Sequence, residues 1–256
     1  MSLEMIILIL YNIYIMITYI VPCYNNMYTI ENCLLSIYNQ IFKYKIEIIV
    51  VDDHSTDETL LRVQHFMAKY NTPKRVGKVI HNLENYGCYV SINIGLKNMN
   101  SEHKYWSYVS ADDYIHEMKT SHTIQFMDKN DLILCGCQSL NRDYSSPLNS
   151  TIIYPASYVY SVRILSMIGY FYENRFGSDD EYIYRLKKYL KINREIPTPV
   201  HLPNIYYFTI KNDSSLTHLY NKEERMEWYN NIVEDIEENN IIYREFDLVK
   251  YRMVDL

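Results

Sequence analysis

The segment 48–57 limits the fold of this chain more than any other part of its sequence. It reads Ile-Ile-Val-Val-Asp-Asp-His-Ser-Thr-Asp. Four consecutive β-branched residues predict a strand that is buried on both faces, as in a parallel sheet. Asp52 and Asp53 end this strand, and the polar residues after them are typical of a turn that begins a helix. Because open α/β sheets bind ligands beyond the carboxyl ends of their strands, we predict that both carboxylates lie at a ligand-binding edge.

Two other segments end in the same way. Segment 17–26 is an apolar strand followed by a polar turn, and segment 105–113 is an apolar strand that ends on Asp112 and Asp113. A single pair of carboxylates would equally suit the capping of the following helix. Three strands that each deliver polar groups to one edge of a sheet instead predict a binding site at that edge.

Length, charge and cysteine content narrow the class of protein. The 256 residues carry a formal net charge of -6 and include five irregularly spaced cysteines. This length suits one α/β domain with a sizeable core, alone or with a small appendage. The acidic balance argues against nucleic acid as a partner, since general nucleic-acid binders are usually basic. The cysteine pattern favours buried thiols and a reducing compartment, and therefore a cytoplasmic location.

Residues 1–16 form an apolar extension in front of the first predicted strand. The apolar run continues to Val21, so a membrane span would consume that strand. Neither a basic flank nor a small-residue cleavage site marks a signal peptide. We therefore interpret 1–16 as an extension that leads into a core strand. Shallow contact of this extension with a membrane, which would make the protein peripheral, is left open.

Hydrophobic periodicity predicts the elements between these motifs. Helical spacing is found in 28–38, 58–70, 90–96, 159–169, 182–190 and the acidic segment after 221. Short apolar runs predict further strands at 78–80, 131–136 and 205–210. Strands that alternate with helices indicate an α/β fold.

Three motifs taken together resemble the family 2 glycosyltransferases. They are Val-Pro-Cys-Tyr-Asn at 21–25, Val-Val-Asp-Asp-His-Ser-Thr-Asp at 50–57 and Ser-Ala-Asp-Asp at 110–113. Their order and spacing match the family, and the resemblance covers roughly residues 19–218. It implies an α/β GT-A fold, which is a Rossmann-like, mixed and mostly parallel central sheet flanked by helices, here with a C-terminal helical appendage.

The resemblance also divides the chain. It implies a GT-A domain at 17–220, with a nucleotide-binding half at 17–115 and an acceptor-binding half at 116–220. Residues 221–256 would form a C-terminal helical segment. The implied activity is inverting transfer of a sugar from a nucleotide-diphosphate donor, with a UDP-sugar favoured, to a hydroxyl of a saccharide, protein or lipid acceptor.

Several residues match family positions that hold the donor nucleotide. By resemblance, the Asp53 carboxylate accepts a hydrogen bond from the N–H of a uracil-like ring, and Tyr24 offers its ring to the base. The alternative for Tyr24 is that it is simply one of 28 tyrosines. Ile92 stands where relatives carry an arginine that helps to hold the donor. The full set of implied nucleotide contacts is Pro22, Tyr24, Asn25, Asp53, Asn93, Ser110, Ala111 and Asp112.

A divalent cation is the cofactor that the resemblance implies. The family pattern is Asp-x-Asp, and here Ser110 replaces the first aspartate while Asp112 keeps the last, which binds the metal in relatives. Mn²⁺ or Mg²⁺ suits oxygen ligands and would stabilise charge on the leaving diphosphate. His218 matches a late histidine near the donor and is a second candidate metal ligand. An exposed histidine with no role is the alternative reading.

The candidate general base comes from a third region. Relatives carry a Glu-Asp pair at the start of a helix and an arginine six residues after the aspartate. Asp179 and Arg185 match this spacing, but Ser178 replaces the glutamate, so Asp180 competes with Asp179 for the role. A helix N-terminus favours the ionised carboxylate that a base requires. Capping of the helix is the alternative function.

The departures from the family pattern leave a second class of function open. Ile92, Ser110 and Ser178 each replace a residue that is typical of the family. They motivate a catalytically inactive GT-A domain that is kept for nucleotide binding or as a scaffold. A nucleotidyltransferase ranks last, because no glycine-rich basic loop follows the first strand.

Overall fold

The computed structural model of the chain describes residues 17–130, 133–142, 151–152, 155–193, 200–210, 222–247 and 249–256. Its strands are β1 (Ile17–Cys23), β2 (Ile46–Asp52), β3 (Arg75–Asn82), β4 (Tyr105–Tyr108), β5 (Tyr114–Ile115), β6 (Leu134–Arg142), β7 (Thr151–Ile152), β8 (Val159–Ser161), β9 (Val200–Ile210) and β10 (Tyr251–Val254). Its α-helices are α1 (Ile30–Tyr38), α2 (Thr59–Tyr70), α3 (Cys88–Lys97), α4 (Lys119–Asn130), α5 (Arg163–Ile168), α6 (Ser178–Asn193) and α7 (Lys222–Glu238).

All the described strands belong to one mixed sheet. The order is β10-β3-β2-β1-β4-β8-β6-β9-β5, and β7 pairs with β6. The neighbours β3, β2, β1 and β4 run parallel, as do β6 and β9. The remaining pairs are antiparallel. The carboxyl ends of β1, β2 and β4 therefore meet at one edge, which confirms the α/β fold class with its mostly parallel centre.

The two central strands are buried throughout, as their apolar runs predict. Every residue of β1 and β2 is buried. Ile48 and Val50 pack in one core cluster with α1 and α2, whereas Ile49 and Val51 pack in another with α3. Side chains alternate between faces along a strand. Asp52 and Asp53, which follow this alternation, consequently point to opposite faces of the sheet.

Helix α1 shows why its sequence pattern is informative. The apolar positions of 28–38 recur with helical spacing. The residues buried on α1 are Ile30, Cys33, Leu34 and Ile37. This face packs against the sheet and directs the loop before α1 toward the carboxyl end of β2.

Three predicted elements differ from the structure. The segment 159–169 is not one helix: it begins as β8, which pairs with β4 and β6, and becomes helical only in α5. Strand β6 begins at Leu134 and continues to Arg142, beyond the predicted 131–136. The C-terminal segment, predicted as helical, contains α7 and also the edge strand β10, which pairs antiparallel with β3. In each case the conformation of the segment depends on pairing with strands that are distant in sequence. A local sequence pattern does not reveal such partners.

The cysteines are free thiols, four of them buried, as predicted for thiols of the core. Residues 1–16 lie outside the described part of the chain. Among the described helices, none combines the length and apolar character that crossing a membrane would require.

Candidate functional site

Asp53 is held by the entrance to α3. Its Oδ1 accepts hydrogen bonds from the Asn82 side-chain amide at 2.8 Å and from the Tyr86 N–H at 2.9 Å. Its Oδ2 accepts one from the Gly87 N–H at 2.7 Å. Gly87 has a φ of +98°, which glycine adopts without strain, and directly precedes α3. The buried carboxylate thus fixes the N-terminal end of α3 relative to β2, and its contact with a nucleobase remains a prediction.

Asp53→Asn is expected to lower the free energy of unfolding by about 1–3 kcal/mol, because an amide nitrogen would face backbone donors that now meet a carboxylate. Urea denaturation of the purified variant measures this. Glu84→Gln neutralises an exposed carboxylate in the loop before α3 and should cost less than about 0.5 kcal/mol. Equal costs for the two variants would contradict the assigned role.

Asp52 occupies the opposite face at the same strand end. It is fully buried, and its Oδ2 lies 2.7 Å from His81 Nδ1 and accepts a hydrogen bond from the Ser55 N–H at 3.2 Å. The Cys23 thiol at the end of β1 donates to Oδ1 at 3.8 Å. This carboxylate therefore connects the ends of β1, β2 and β3.

The loop after β1 is fastened to the turn after β2. Asn25 has a φ of +54° and donates its N–H to Ser55 Oγ at 3.0 Å. Its side-chain oxygen accepts the Thr56 N–H at 2.8 Å. Pro22 is buried within β1, whereas the Tyr24 side chain remains 47% exposed. Of the residues predicted on this loop, Tyr24 thus presents an accessible ring and Asn25 holds the loop in place.

Asn93 lies away from the sheet edge. It is fully buried, donates its amide to the Phe171 carbonyl at 2.9 Å and accepts the Phe171 N–H at 3.0 Å. Both ends of the amide are therefore used to join α3 to the loop before α6. Ile92, at the position of the family's arginine, is packed in the apolar core. In this arrangement Asn93 positions a loop, and its contact with a nucleotide remains a prediction.

The carboxylates at the end of β4 differ in their surroundings. Asp113 accepts hydrogen bonds from the Tyr207 hydroxyl and from the Ile210 N–H, each at 2.9 Å. Burial raises the pKa of Asp113 to about 8, and the charge of Asp112 adds to the effect. Asp112 is only half-buried. Asp113 therefore supports the tip of the strand, while Asp112 is the more accessible carboxylate.

The described residues contain no group of three or more histidine, cysteine or acidic side chains that could hold a metal ion. Mg²⁺ commonly takes only one or two protein carboxylates together with substrate phosphates. The Asp112 carboxylate, with the buried Ala111 and the half-buried Ser110 before it, fits that requirement. The other predicted ligand, His218, lies outside the described residues.

The two candidate bases on α6 have different neighbours. Asp179 is half-buried and accepts a hydrogen bond from the Tyr89 hydroxyl at 2.7 Å. Asp180 is more exposed. Its pKa is raised to about 6 by desolvation and by the charge of Asp179, against the opposing charges of Arg225 and Lys187. Asp179 therefore faces α3, whereas Asp180 faces α7.

An open cleft lies beside Asp180, between the start of α6 and α7. Its volume is about 510 Å³. Ser178, which stands at the position of the family's glutamate, is fully buried and directly follows Gly177, a residue of the cleft lining. The residues that line the cleft are Gly177, Asp180, Arg225, Met226 and Tyr229.

The carboxylates from the two halves of the chain converge near the start of α3. Burial raises the pKa of the Cys88 thiol, and the charges of Asp179, Asp53 and Asp112 raise it further. Asp53 also accepts the Gly87 N–H and Asp179 accepts the Tyr89 hydroxyl, so these two carboxylates contact the start of α3 directly. The structure therefore brings side chains from β2 and α6 together at the start of α3, and their roles in binding and catalysis remain predictions.

Sequence reasoning missed a buried ion pair directly after the candidate bases. Arg185 donates to Glu181 from Nε at 2.6 Å and from its second amino group at 3.0 Å, and both side chains are fully buried. Arg185 also donates to the Ile168 and Tyr170 carbonyls, and Arg244 donates to Glu181 at 2.9 Å. The i,i+4 spacing of Glu181 and Arg185 was the available signal. The pair fixes the first turn of α6 to the preceding loop.

The sequence matches the family described as Glycosyl transferase family 2 over residues 18–247. Among its relatives is poly(ribitol-phosphate) beta-N-acetylglucosaminyltransferase TarS of Staphylococcus aureus, which is 29% identical over 211 residues, 76% of this chain and 35% of that protein. The uncharacterized glycosyltransferase RP339 of Rickettsia prowazekii is 33% identical over 131 residues, 50% of this chain and 38% of that protein. The chain thus spans little more than a third of the length of either relative.

Solved structures share the fold. Staphylococcus aureus TarS 1-349 in complex with UDP-GlcNAc superposes with a TM-score of 0.69 and 21% identity, over 89% of this chain and 70% of that one. The mannosyltransferase PcManGT from Pyrobaculum calidifontis, in complex with GDP-Man and Mn²⁺, gives a TM-score of 0.62 and 18% identity, over 88% and 64%. Since the family match extends over most of the sequence and the sheet has the architecture of these enzymes, the chain belongs to glycosyl transferase family 2 and has the GT-A fold.

Proposed function

We propose that this chain is a glycosyltransferase that moves a sugar from a nucleotide-diphosphate donor to an acceptor hydroxyl. The observation that carries the proposal is that Asp53, at the end of β2, and Asp179, of α6, both contact the start of α3, while the half-buried Asp112 follows β4. A UDP-sugar is the favoured donor, because a TarS structure of the same fold is a complex with UDP-GlcNAc. GDP-mannose is the alternative, from the complex of PcManGT.

On the donor side, the exposed Tyr24 ring and the loop fastened by Asn25 lie where β1 ends, beside the turn after β2. This loop would receive the nucleoside. Asp112, at the end of β4, would hold Mn²⁺ or Mg²⁺ together with the diphosphate. When bound, such an ion neutralises negative charge on the leaving diphosphate. The Mn²⁺ in the PcManGT complex supports a divalent cation but does not identify the ion used here.

On the acceptor side, we assign the general base to Asp179. Its Oδ1 is occupied by Tyr89, so Oδ2 would take the proton from the acceptor hydroxyl. The acceptor oxygen then forms a bond to the anomeric carbon while the bond from that carbon to the diphosphate breaks. A single displacement of this kind inverts the anomeric configuration. One base on the face opposite the leaving group is sufficient for it.

The cleft between α6 and α7 is lined by Asp180, the neighbour of the proposed base, and would receive the acceptor. The acceptor class stays open among saccharide, protein and lipid. The acceptor named for TarS is a poly(ribitol-phosphate). A cytoplasmic location, with peripheral membrane contact through 1–16, likewise remains a prediction.

The alternative of an inactive domain rests on Ile92, Ser110 and Ser178, which replace residues typical of the family. The structure places these three residues in surroundings that differ from one another. Ile92 lies in the apolar core and Ser178 is fully buried. Asp112 and Asp179, which the mechanism requires, are both retained. The family match does not favour an inactive domain, and turnover of a nucleotide sugar by the wild type would exclude it.

Asp112→Asn is expected to weaken the metal-dependent binding of a nucleotide diphosphate by roughly tenfold or more, because the amide carries no charge to hold the cation. Calorimetric titration with UDP and with GDP, each with and without Mn²⁺ or Mg²⁺, measures this. Glu117→Gln removes an exposed charge five positions away and serves as the matched control. Failure of the wild type to bind any nucleotide diphosphate would contradict the proposed function, and unchanged binding by Asp112→Asn would remove only the role of Asp112.

A further inference from the structure

Tyr89 makes a hydrogen bond that joins the two halves of the site. Its hydroxyl donates to Asp179 Oδ1 at 2.7 Å, from the second residue of α3 to the second residue of α6. A hydrogen bond to a carboxylate is stronger than one between neutral groups and fixes both partners. It uses one carboxylate oxygen and orients the other, which is the oxygen that would meet the acceptor.

The Tyr89 ring is itself held in place. It stacks on Phe171 with ring centroids 5.8 Å apart, and Phe171 stacks on Tyr182 of α6 at 4.1 Å. The two hydrogen bonds between Asn93 and the Phe171 backbone fix this layer to α3. The hydroxyl therefore projects from a packed aromatic layer and not from a freely rotating side chain.

The other end of this connection is Asp53. Its carboxylate accepts the Gly87 N–H, two residues before Tyr89 in the chain. The end of β2 and the first turn of α6 are thus each hydrogen-bonded to the start of α3, and its backbone from Gly87 to Tyr89 connects the two contacts covalently. We propose that Tyr89 is a positioning residue, which sets the orientation of the Asp179 carboxylate relative to the nucleotide-binding edge of the sheet. This inference rests on the proposed function, in which Asp179 is the general base.

The hydroxyl remains a donor throughout the working pH range. Burial raises the pKa of Tyr89 well above its usual value, and the neighbouring charge of Asp179 raises it further. The other titratable groups that interact with Asp179 are Cys88 on α3, Asp180 on α6, Tyr108 on β4 and Tyr160 on β8. Burial also raises the pKa of Cys88, Tyr108 and Tyr160. Asp180 is therefore the neighbour that titrates in the acidic part of the pH range in which turnover is measured.

The test compares Tyr89→Phe with Tyr184→Phe. Tyr184 also donates to a carboxylate, Glu237, at 2.6 Å and lies on the same helix as Asp179, but at the surface. Donor turnover, with UDP-GlcNAc and GDP-mannose as probes and water as the acceptor, is measured from pH 5 to 9. For Tyr89→Phe we expect kcat to fall by roughly tenfold or more with the donor KM within about twofold of wild type. We also expect the acidic limb of the profile to move to higher pH, because a donor that stabilised the ionised carboxylate is lost.

Tyr184→Phe should match the wild type in all three respects. If Tyr89→Phe has the same kcat and the same pH profile as the wild type, the positioning role is overturned and the proposed function stays intact. Activity retained in Asp179→Asn would overturn the assignment of the base and this inference with it, whereas no turnover of any nucleotide sugar by the wild type would overturn the proposed function. In the background of Asp179→Asn, Tyr89→Phe should cause no further loss, since it acts through that carboxylate.

Discussion

Asp179→Asn is expected to abolish sugar transfer, with kcat lowered by roughly 10²–10⁴-fold and the affinity for nucleotide diphosphates almost unchanged. Asparagine keeps the shape of the side chain and can still accept the hydrogen bond from Tyr89. It cannot take up the proton of an acceptor hydroxyl. Calorimetry with a nucleotide diphosphate and turnover of the corresponding nucleotide sugar, measured on the same preparation, separate binding from chemistry.

Asp180→Asn is the matched control for this prediction. Asp180 belongs to the same helical turn but faces the cleft and α7. We expect it to affect use of the acceptor more than the chemical step. If Asp180→Asn is inactive and Asp179→Asn retains near-normal turnover, the assignment of the base is wrong by one residue. If both variants are active, the base lies elsewhere in the chain.

Arg185→Met is expected to lower the free energy of unfolding by about 3–5 kcal/mol. Among the described residues, the substitution leaves the fully buried Glu181 with Arg244 as its remaining charged partner, and it removes donors from the Ile168 and Tyr170 carbonyls. Urea denaturation measures the loss. Arg62→Met is a matched control, because Arg62 forms the same i,i+4 pair with Glu58 at 3.1 Å on the surface, where such pairs contribute about 0–1 kcal/mol.

A double variant keeps this prediction testable if Arg185→Met fails to fold. Glu181→Gln combined with Arg185→Met removes both fully buried members of the pair, and the partner that loses its counter-charge is the partly exposed Arg244. We expect the double variant to be more stable than Arg185→Met alone. Equal losses for Arg185→Met and Arg62→Met would show that burial does not increase the importance of the pair.

The fold was predictable where a local pattern carried the information. The uninterrupted apolar run of β2 predicts a strand that is buried on both faces. The helical spacing of the apolar residues in α1 predicts which face of that helix is buried. By contrast, β8 and β10 depend on pairing with strands that are distant in sequence. A short apolar stretch does not state whether it meets such a partner, so 159–161 was wrongly predicted as helical.

The location of the site was also predictable, but not the direction of every side chain. Motifs at three strand ends indicated the edge at which Asp53 and Asp112 lie. The structure alone shows that Asp53 binds the entrance of α3 and that Asn93 is used by the Phe171 backbone. Tyr89 gave no signal, because nothing in the sequence separates it from the other tyrosines of a chain that has 28.

Asp52 and Asp53 contact different parts of the structure, and this limits how the sequence of β2 can change in evolution. Their opposite directions follow only from the alternation of side chains along an extended backbone. Adding or deleting one residue within β2 would exchange the two faces for every position beyond the change. The strand can therefore accept many apolar replacements, yet gaps and insertions within it should be strongly selected against. Changes of length in this lineage are expected in the surface loops instead.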